Sequence, residues 1–374
     1  MMINPPAQIG ASLAEIDTPA LIVNLNAFER NIKKMAQYVA STGVQLRAHA
    51  KTHKSSDVAK KQMAAGAVGQ CVQKVGEAEA LVNAGVLDVL VTNQIVGTDK
   101  LRRLATLAHK AKIGLCFDDP AQLHAASDAA VREGVNIEGY VEIDTGMLRC
   151  GVKPGAMAAD LARQIAAADG LTFKGIQAYH GSAQHLPTAF ERQTEIARAI
   201  GFVKDTQGAL RRIGLEAQAI TGAGTGTFRL EAESGVYTEL QAGSYAFMDV
   251  DYAMIQDENG RDYSEFEHSL FILSTIMSVA GENWVVADAG LKSYSGEKGP
   301  PRVYNGPGLS VVSMSDEHGK IAVSHGAKRP KLGEKVLLIP GHCDPTINLH
   351  NWYVGVRNGR VEEIWDIDAR GASR

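Results

Sequence analysis

The sequence predicts an α/β protein, with an N-terminal (β/α)8 TIM-like barrel followed by a mostly β C-terminal domain. Three observations predict it. Up to about Tyr245, short β-branched runs alternate with longer amphipathic ones. Side chains capable of chemistry gather where those β-branched runs end. After Asp251, helical periodicity gives way to strand-like runs separated by Gly, Pro and Asp. Regular strand–helix alternation means βαβ units on a parallel sheet, and eight units in one series close into a barrel.

The strands read "ALIVN" (20–24), "VQLRAHA" (44–50), "GQCVQ" (69–73), "DVLVTN" (88–93) and "KIGLCF" (112–117). They continue with "IEGYVEID" (137–144), "FKGIQAYH" (173–180), "AQAITG" (217–222) and "TELQAGSY" (238–245). Between them lie helical patterns such as "NAFERNIKKMAQYVAST" and "PTAFERQTEIARAIGFVKDT". These nine strands are one more than a barrel takes, and the first is the candidate to belong elsewhere. Residues 1–251 are therefore expected to form the barrel domain. Residues 252–374, with runs such as "SLFILSTIMSVA", "KVLLIPGH" and "RVEEIWDI", are expected to form the β domain.

Composition narrows the function classes. A hydrophobic share of 45% with 21% charged residues is that of an ordinary globular protein. A net charge of −4 with no basic block argues against nucleic acid and anionic membranes as partners. No apolar run is long enough for a membrane helix, and the start "MMINPPAQIGASLAEID" lacks a signal-peptide pattern. Four scattered cysteines without a C-x-x-C pair fit a reducing, cytoplasmic setting and argue against a zinc ribbon. Cys71 and Cys116 sit in apolar runs and read as core residues.

In a β/α barrel the chemistry lies at the C-terminal ends of the strands, which selects five stretches. "RAHAKTHKS" (47–55) puts Lys51 beside Arg47, His49, His53 and Lys54. Cationic neighbours and desolvation would depress its amine and make it nucleophilic. Lys54 is a rival, and a solvated basic loop is the plainer alternative. "TGAGTGTF" (221–228) offers small residues and hydroxyls for an anion cradle at the last barrel units. "VEIDTGMLRCG" (141–151) places Arg149 to grip an anionic oxygen, or to pair with Asp144. "AYHGSAQH" (178–185) carries His180 and His185, one suited to lie on a planar ligand and the other to move a proton. In "IPGHCDPT" (339–346), an extended chain would turn His342 and Asp344 to one face and Cys343 to the other. One imidazole and one carboxylate, completed by water, suit a divalent ion such as Mn²⁺ but are too few for structural zinc.

In this combination and order, from about Thr18 onward, the chain resembles the fold-type III pyridoxal-phosphate enzymes, the alanine racemase-like family. "HAKTHK", "MDVDY" (248–252) and "GHCDPT…NWYVGVR" are similar to its metal-activated, low-specificity D-threonine aldolase branch. The resemblance implies that Lys51 carries pyridoxal 5'-phosphate, that Arg149 holds its phenolic oxygen and that His180 lies against its ring beside Tyr179. It implies a phosphate cradle of Gly224, Thr225, Gly243 and Ser244, and Gln241 near the pyridine nitrogen. His342 and Asp344 would hold a divalent metal (Mn²⁺, with Mg²⁺, Co²⁺ or Zn²⁺ as alternatives), and His185 would be the base. The implied reaction is retro-aldol cleavage of a small D-3-hydroxy amino acid, D-threonine or D-allo-threonine, to glycine and an aldehyde, by a homodimer. D-serine dehydratases of the group show His-x-Cys at the metal position, so Asp344 favours the aldolase branch over dehydration. A racemase leaves the His-x-Asp pair without a purpose, and a non-catalytic pyridoxal-phosphate-binding protein leaves the β domain without one. The residues alone, without the resemblance, suggest a divalent-metal sugar-phosphate lyase.

Overall fold

A computed structural model describes residues 4–374. Eight parallel strands close a barrel: β2 (Gln45–His49), β3 (Gly69–Val72), β4 (Asp88–Val91), β5 (Lys112–Phe117), β6 (Ile137–Glu142), β7 (Leu171–Ala178), β8 (Ala219–Gly222) and β9 (Glu239–Leu240). Closure comes from β2 pairing β9, with Gln45 opposite Glu239 and Leu46 opposite Leu240. Helix α1 (Leu25–Thr42) precedes them, and between them lie α2 (Ser56–Ala64), α3 (Val75–Asn83), α4 (Thr98–Leu107), α5 (Pro120–Glu133), α6 (Ala156–Ala167), α7 (Ala189–Arg212) and α8 (Phe228–Glu233). Their ends are signalled locally. Asn24 caps α1 through Ala27 N–H, and Gly43 ends it at φ 75°. Asp119 caps α5, with Pro120 in the first position, where a missing N–H costs nothing.

The barrel interior is packed below the mouth. Cys71, Leu90, Cys116, Tyr140 and Ala219 form a buried cluster, so the two cysteines are core residues. Towards the N-terminal strand ends, buried Arg47 pairs with Asp88 and, at 2.9 Å, with Glu239.

The surplus strand β1 (Ala20–Asn24) lies in the second sheet, antiparallel to β10 (Leu270–Ser278) and parallel to β16 (Trp352–Arg357). Its side chains are buried on both faces, as a central strand requires. The other members are β11 (Trp284–Ala287), β12 (Arg302–Val303), β13 (Leu309–Met314), β14 (Gly319–Val323), β15 (Lys335–Ile339) and β17 (Arg360–Asp366). The order is β13-β14-β11-β10-β1-β16-β17, with β15 on β10 and β12 on β15.

One local expectation fails. Residues 336–344 are not one strand: β15 ends at Ile339, His342 is extended (φ −142°, ψ 125°), and Cys343 opens the short helix α10 (Cys343–Ile347). Asp344 suits a first helical turn, Pro345 loses no helical bond there, and Thr346 Oγ1 donates to His342 O at 2.8 Å. This turn is tied to the barrel mouth through α9 (Val250–Ala253). Val250 N–H reaches Pro340 O at 3.0 Å and Asp251 N–H reaches Gly341 O at 3.1 Å. Buried Asp249 caps both short helices, accepting from Tyr252 N–H at 3.0 Å and Cys343 N–H at 2.9 Å.

Candidate active site

A cavity opens at the C-terminal ends of the barrel strands, beneath the loop that carries α10. It is lined by Lys51, Arg149, Tyr179, His185, Gly224, Thr225, Gln241, Gly243, Ser244, His342 and Asp344, together with His49, Thr52, Gln73, Thr92, Gln177, Ala223 and Tyr252. Every site residue that the family resemblance implied lines it except His180.

His180 is a correction. Tyr179 and His180 are consecutive at the end of β7, and neighbouring residues of an extended chain face opposite ways. Tyr179 takes the inward position. His180 turns into an adjacent groove with Gly146, Ser182, Phe190 and Glu195, where its Nε2 stands 3.5 Å from Glu195 Oε2. It therefore does not reach the cavity; the imidazoles that do are His49, His185 and His342.

Lys51 Nζ lies 4.0 Å from Asp344 Oδ2, its side chain about a third open to the cavity. The chain neighbours expected to surround it with positive charge are paired or neutral, and the cation that does act on it is Arg149. Lys54 is bound to Glu77 at 2.6 Å, and Arg47 is held by Glu239 and Asp88. Burial pushes His53 down to about 4. Burial, helped by Lys51 and His53, takes His49 well below the histidine range. Burial also pulls the Lys51 amine down, but Tyr179 and Asp344 outweigh it, and the balance is upward. Lys54 is spent in an ion pair and does not line the cavity, which leaves Lys51 as its amine.

Arg149 does not pair with Asp144, whose Oδ1 accepts from Gly146 and Leu148 N–H and so closes the turn. Its guanidinium stands 5.8 Å from the Tyr179 ring and 4.0 Å from Glu142 Oε1. Gln241 and Gln177 exchange amide hydrogen bonds at 2.8 and 2.9 Å, and Thr221 Oγ1 accepts a third. Gln241 is thus fixed on the inner wall.

Elsewhere in the lining, the hydroxyls of Thr52 and Thr225 are buried without a partner, although a lost hydrogen bond in such a place is costly. Both line the cavity between Gly224, Gly243 and Ser244. A Cβ on Gly243 would meet His49 O at 2.6 Å and Thr52 Oγ1 at 2.8 Å. Orphaned hydroxyls beside glycine backbone suit a phosphate's acceptor oxygens. These residues fit a phosphorylated cofactor.

His342 and Asp344, expected to hold a metal, stay close to each other without the strand. His342 Nε2 and Asp344 Oδ1 are 4.0 Å apart, a span that two bonds of about 2.1 Å to one ion can bridge. Cys343 is fully buried, and burial raises its thiol far above the usual range. No group of three or more His, Cys, Asp or Glu able to hold an ion occurs among the described residues, so an ion here needs water or substrate oxygens to complete its shell. His185 Nδ1 stands 2.9 Å from Asp251 Oδ2. Burial raises that carboxyl, yet His185 and Lys298 outweigh it and hold it below its ordinary range.

Sequence reasoning missed Asp249 and Asp251 as working residues, although both lie in "MDVDY", a stretch that carries the family resemblance. Thr52, Gln73, Thr92 and Gln177 carried no signal of their own, because a buried hydroxyl or amide becomes functional only by where it points.

A parallel barrel with one cavity lysine, a hydroxyl–glycine cradle in the same cavity and a β domain reaching over the mouth defines a cofactor-lysine enzyme. The chain belongs to the alanine racemase-like family: residues 23–251 match the family described as "Alanine racemase, N-terminal domain" and residues 269–356 the "Putative serine dehydratase domain". It is 46% identical to a 3-hydroxy-D-aspartate aldolase of Paracoccus denitrificans (strain Pd 1222), covering 98% of this chain and 95% of that protein. It is also 46% identical to a D-threonine aldolase of Arthrobacter sp., covering 99% and 97%. The crystal structure of D-threonine aldolase from Filomicrobium marinum superimposes with a TM-score of 0.96 at 45% identity, covering 99% of this chain and 100% of that one.

Proposed function

We infer that the protein is a carbon–carbon lyase that cleaves D-3-hydroxy amino acids between Cα and Cβ, giving glycine and an aldehyde. D-Threonine and D-allo-threonine are the substrates we assign, and pyridoxal 5'-phosphate and a divalent metal, Mn²⁺ by preference, the cofactors. The observation that carries this reading is the convergence of Lys51 with the His342–Asp344 pair in one cavity, with 4.0 Å between the amine and the carboxylate.

Pyridoxal phosphate, when bound, supplies an electron sink for the pair released at Cα. A divalent ion supplies Lewis acidity towards the β-oxygen. Lys51 is the residue that would carry the cofactor. Thr52, Thr225, Gly224, Gly243 and Ser244 would take its phosphate, and Arg149 its phenolic oxygen. Arg149, beside the Tyr179 ring, would hold that oxygen in place. His342 and Asp344 would hold the ion. His185 takes the β-hydroxyl proton on Nε2, because Asp251 stands at its Nδ1. The overall reaction moves one proton from the β-oxygen to Cα, and the aldehyde leaves with the former hydroxyl oxygen.

Dehydration is the second reading, favoured by the match to the "Putative serine dehydratase domain". It needs the same cofactor but expels the β-oxygen as water, and Asp344 stands against it. Purified protein incubated with D-threonine, with and without chelator, separates the two. Acetaldehyde with equimolar glycine, lost on chelation and restored by Mn²⁺, is the expected result, and 2-oxobutyrate as main product would sink it. Lys51→Ala should abolish the visible absorbance of the bound cofactor, whereas Lys54→Ala should keep it. A homodimer and a cytoplasmic location belong to the same proposal, supported by the family resemblance and by four unpaired cysteines. No helix among the described residues is long and apolar enough to cross a membrane.

A further inference from the structure

Gln184 has no solvent exposure and lies in the 3-10 turn Ser182–His185, one residue before the proposed base. It does not line the cavity, yet the Gly/Thr loop rests on it. Its Oε1 accepts from Gly226 N–H at 3.1 Å. Its Nε2 donates to Thr227 Oγ1 at 2.7 Å and to His180 O at 3.2 Å. The contact is close enough to exclude side chains. A Cβ on Gly224 would lie 2.5 Å from Gln184 Oε1, and one on Gly226 2.3 Å from its carbonyl oxygen. Thr227 Oγ1 passes the chain on to buried Glu231 Oε1 at 2.7 Å. One amide thus fastens the loop of Gly224 and Thr225 to the turn that bears His185.

We propose that Gln184 is a positioning residue for the cofactor phosphate: its amide sets the place of the Gly224–Thr227 loop, and so of the Thr225 hydroxyl that faces the cavity. This rests on the assignment of that loop as the phosphate cradle. The role has a signature that general destabilisation lacks. A loop displaced from the phosphate weakens binding of pyridoxal 5'-phosphate but leaves pyridoxal, which has no phosphate, almost unaffected. Q184M keeps the volume beneath the glycines and removes the three hydrogen bonds.

The test strips cofactor from the full-length protein and titrates it back with pyridoxal 5'-phosphate or with pyridoxal, following the visible absorbance. Wild-type protein should bind the phosphorylated form far more tightly. In Q184M the Kd for pyridoxal 5'-phosphate should rise about tenfold or more, as loss of buried hydrogen bonds predicts, with the Kd for pyridoxal within twofold of wild type. If Q184M does not fold, T227V, which removes the hydroxyl that accepts from Gln184, is held to the same two outcomes. Wild-type protein that binds both forms equally would overturn the cradle itself. Wild-type discrimination retained unchanged in the folded variant, or equal weakening of both ligands, would overturn the role of Gln184 alone.

Discussion

Glu231 is a carboxyl group sealed behind the cradle loop, and burial pushes it up to about 8. The folded protein therefore keeps this proton to about 8, while an unfolded chain releases it near the ordinary value of 4.5. Folding is penalised progressively as pH rises through that window, by about 4 kcal/mol at pH 8. Glu231→Gln keeps the acceptor for Thr227 and removes the titration, so its thermal midpoint should exceed that of wild type at pH 8 and approach it at pH 5. Equal midpoints at both values would show that Glu231 is not neutral when folded. His53 acts with the opposite sign. Held at about 4 against an ordinary 6.5, it withdraws up to about 3 kcal/mol of stability as pH falls from 6.5 to 4, which urea midpoints at pH 7 and 5 would register. Single residues were only partly legible in the sequence. Lys51 and Lys54 have the same chemistry three positions apart, and it took Glu77, distant in sequence, to spend one of them. The charge environment of Lys51 was misjudged for the same reason: neighbours in the chain were counted as neighbours in space.

At the scale of elements, the strand ends were legible because a β/α barrel puts its chemistry there whatever the reaction. The short pieces were not. A five-residue helix such as α10 has no periodicity to read, and its Asp-Pro start looked equally like a continuing strand. At the end of β7 the sequence offered Tyr179 and His180 together, and backbone alternation, not composition, decided which faces the cavity. What places His342 and Asp344, the proposed metal ligands, is the double cap made by Asp249, which holds α9 and α10 at once. Asp249→Ala leaves two buried N–H groups unpaired, a loss of about 2–4 kcal/mol. It also frees the turn carrying His342 and Asp344 from the barrel mouth. The expected outcome is a shift of about tenfold or more in the Mn²⁺ concentration that activates the stripped enzyme, with the visible cofactor absorbance intact. Unchanged Mn²⁺ activation would mean that the turn holds its shape without the cap.

On the scale of the whole molecule, the chain starts in one layer, leaves to build the barrel and returns to finish the layer it began. Pattern showed nine strands where a barrel holds eight, but not that the first would lie between β10 and β16, since partners that far away leave no mark on five apolar residues. That placement ties the barrel to the β domain, because α1 follows β1 without a break. Leu21, Ile22 and Val23 are almost wholly buried, and exposing each would cost about 1.5–3 kcal/mol. Without β1 the facing strands β10 and β16 stand roughly 10 Å apart, two strand spacings, and neither can pair the other unless the β16–β17 hairpin moves. The combined loss approaches the total stability of about 5–15 kcal/mol typical of a domain. A chain lacking residues 1–24 should therefore lose its near-UV circular dichroism and its cooperative urea transition, whereas Ile22→Val, one methylene smaller, should cost about 1 kcal/mol and keep full activity. A truncated chain with wild-type m-value and metal-dependent activity would mean that the barrel and the sheet of β10 to β17 hold together without their shared strand.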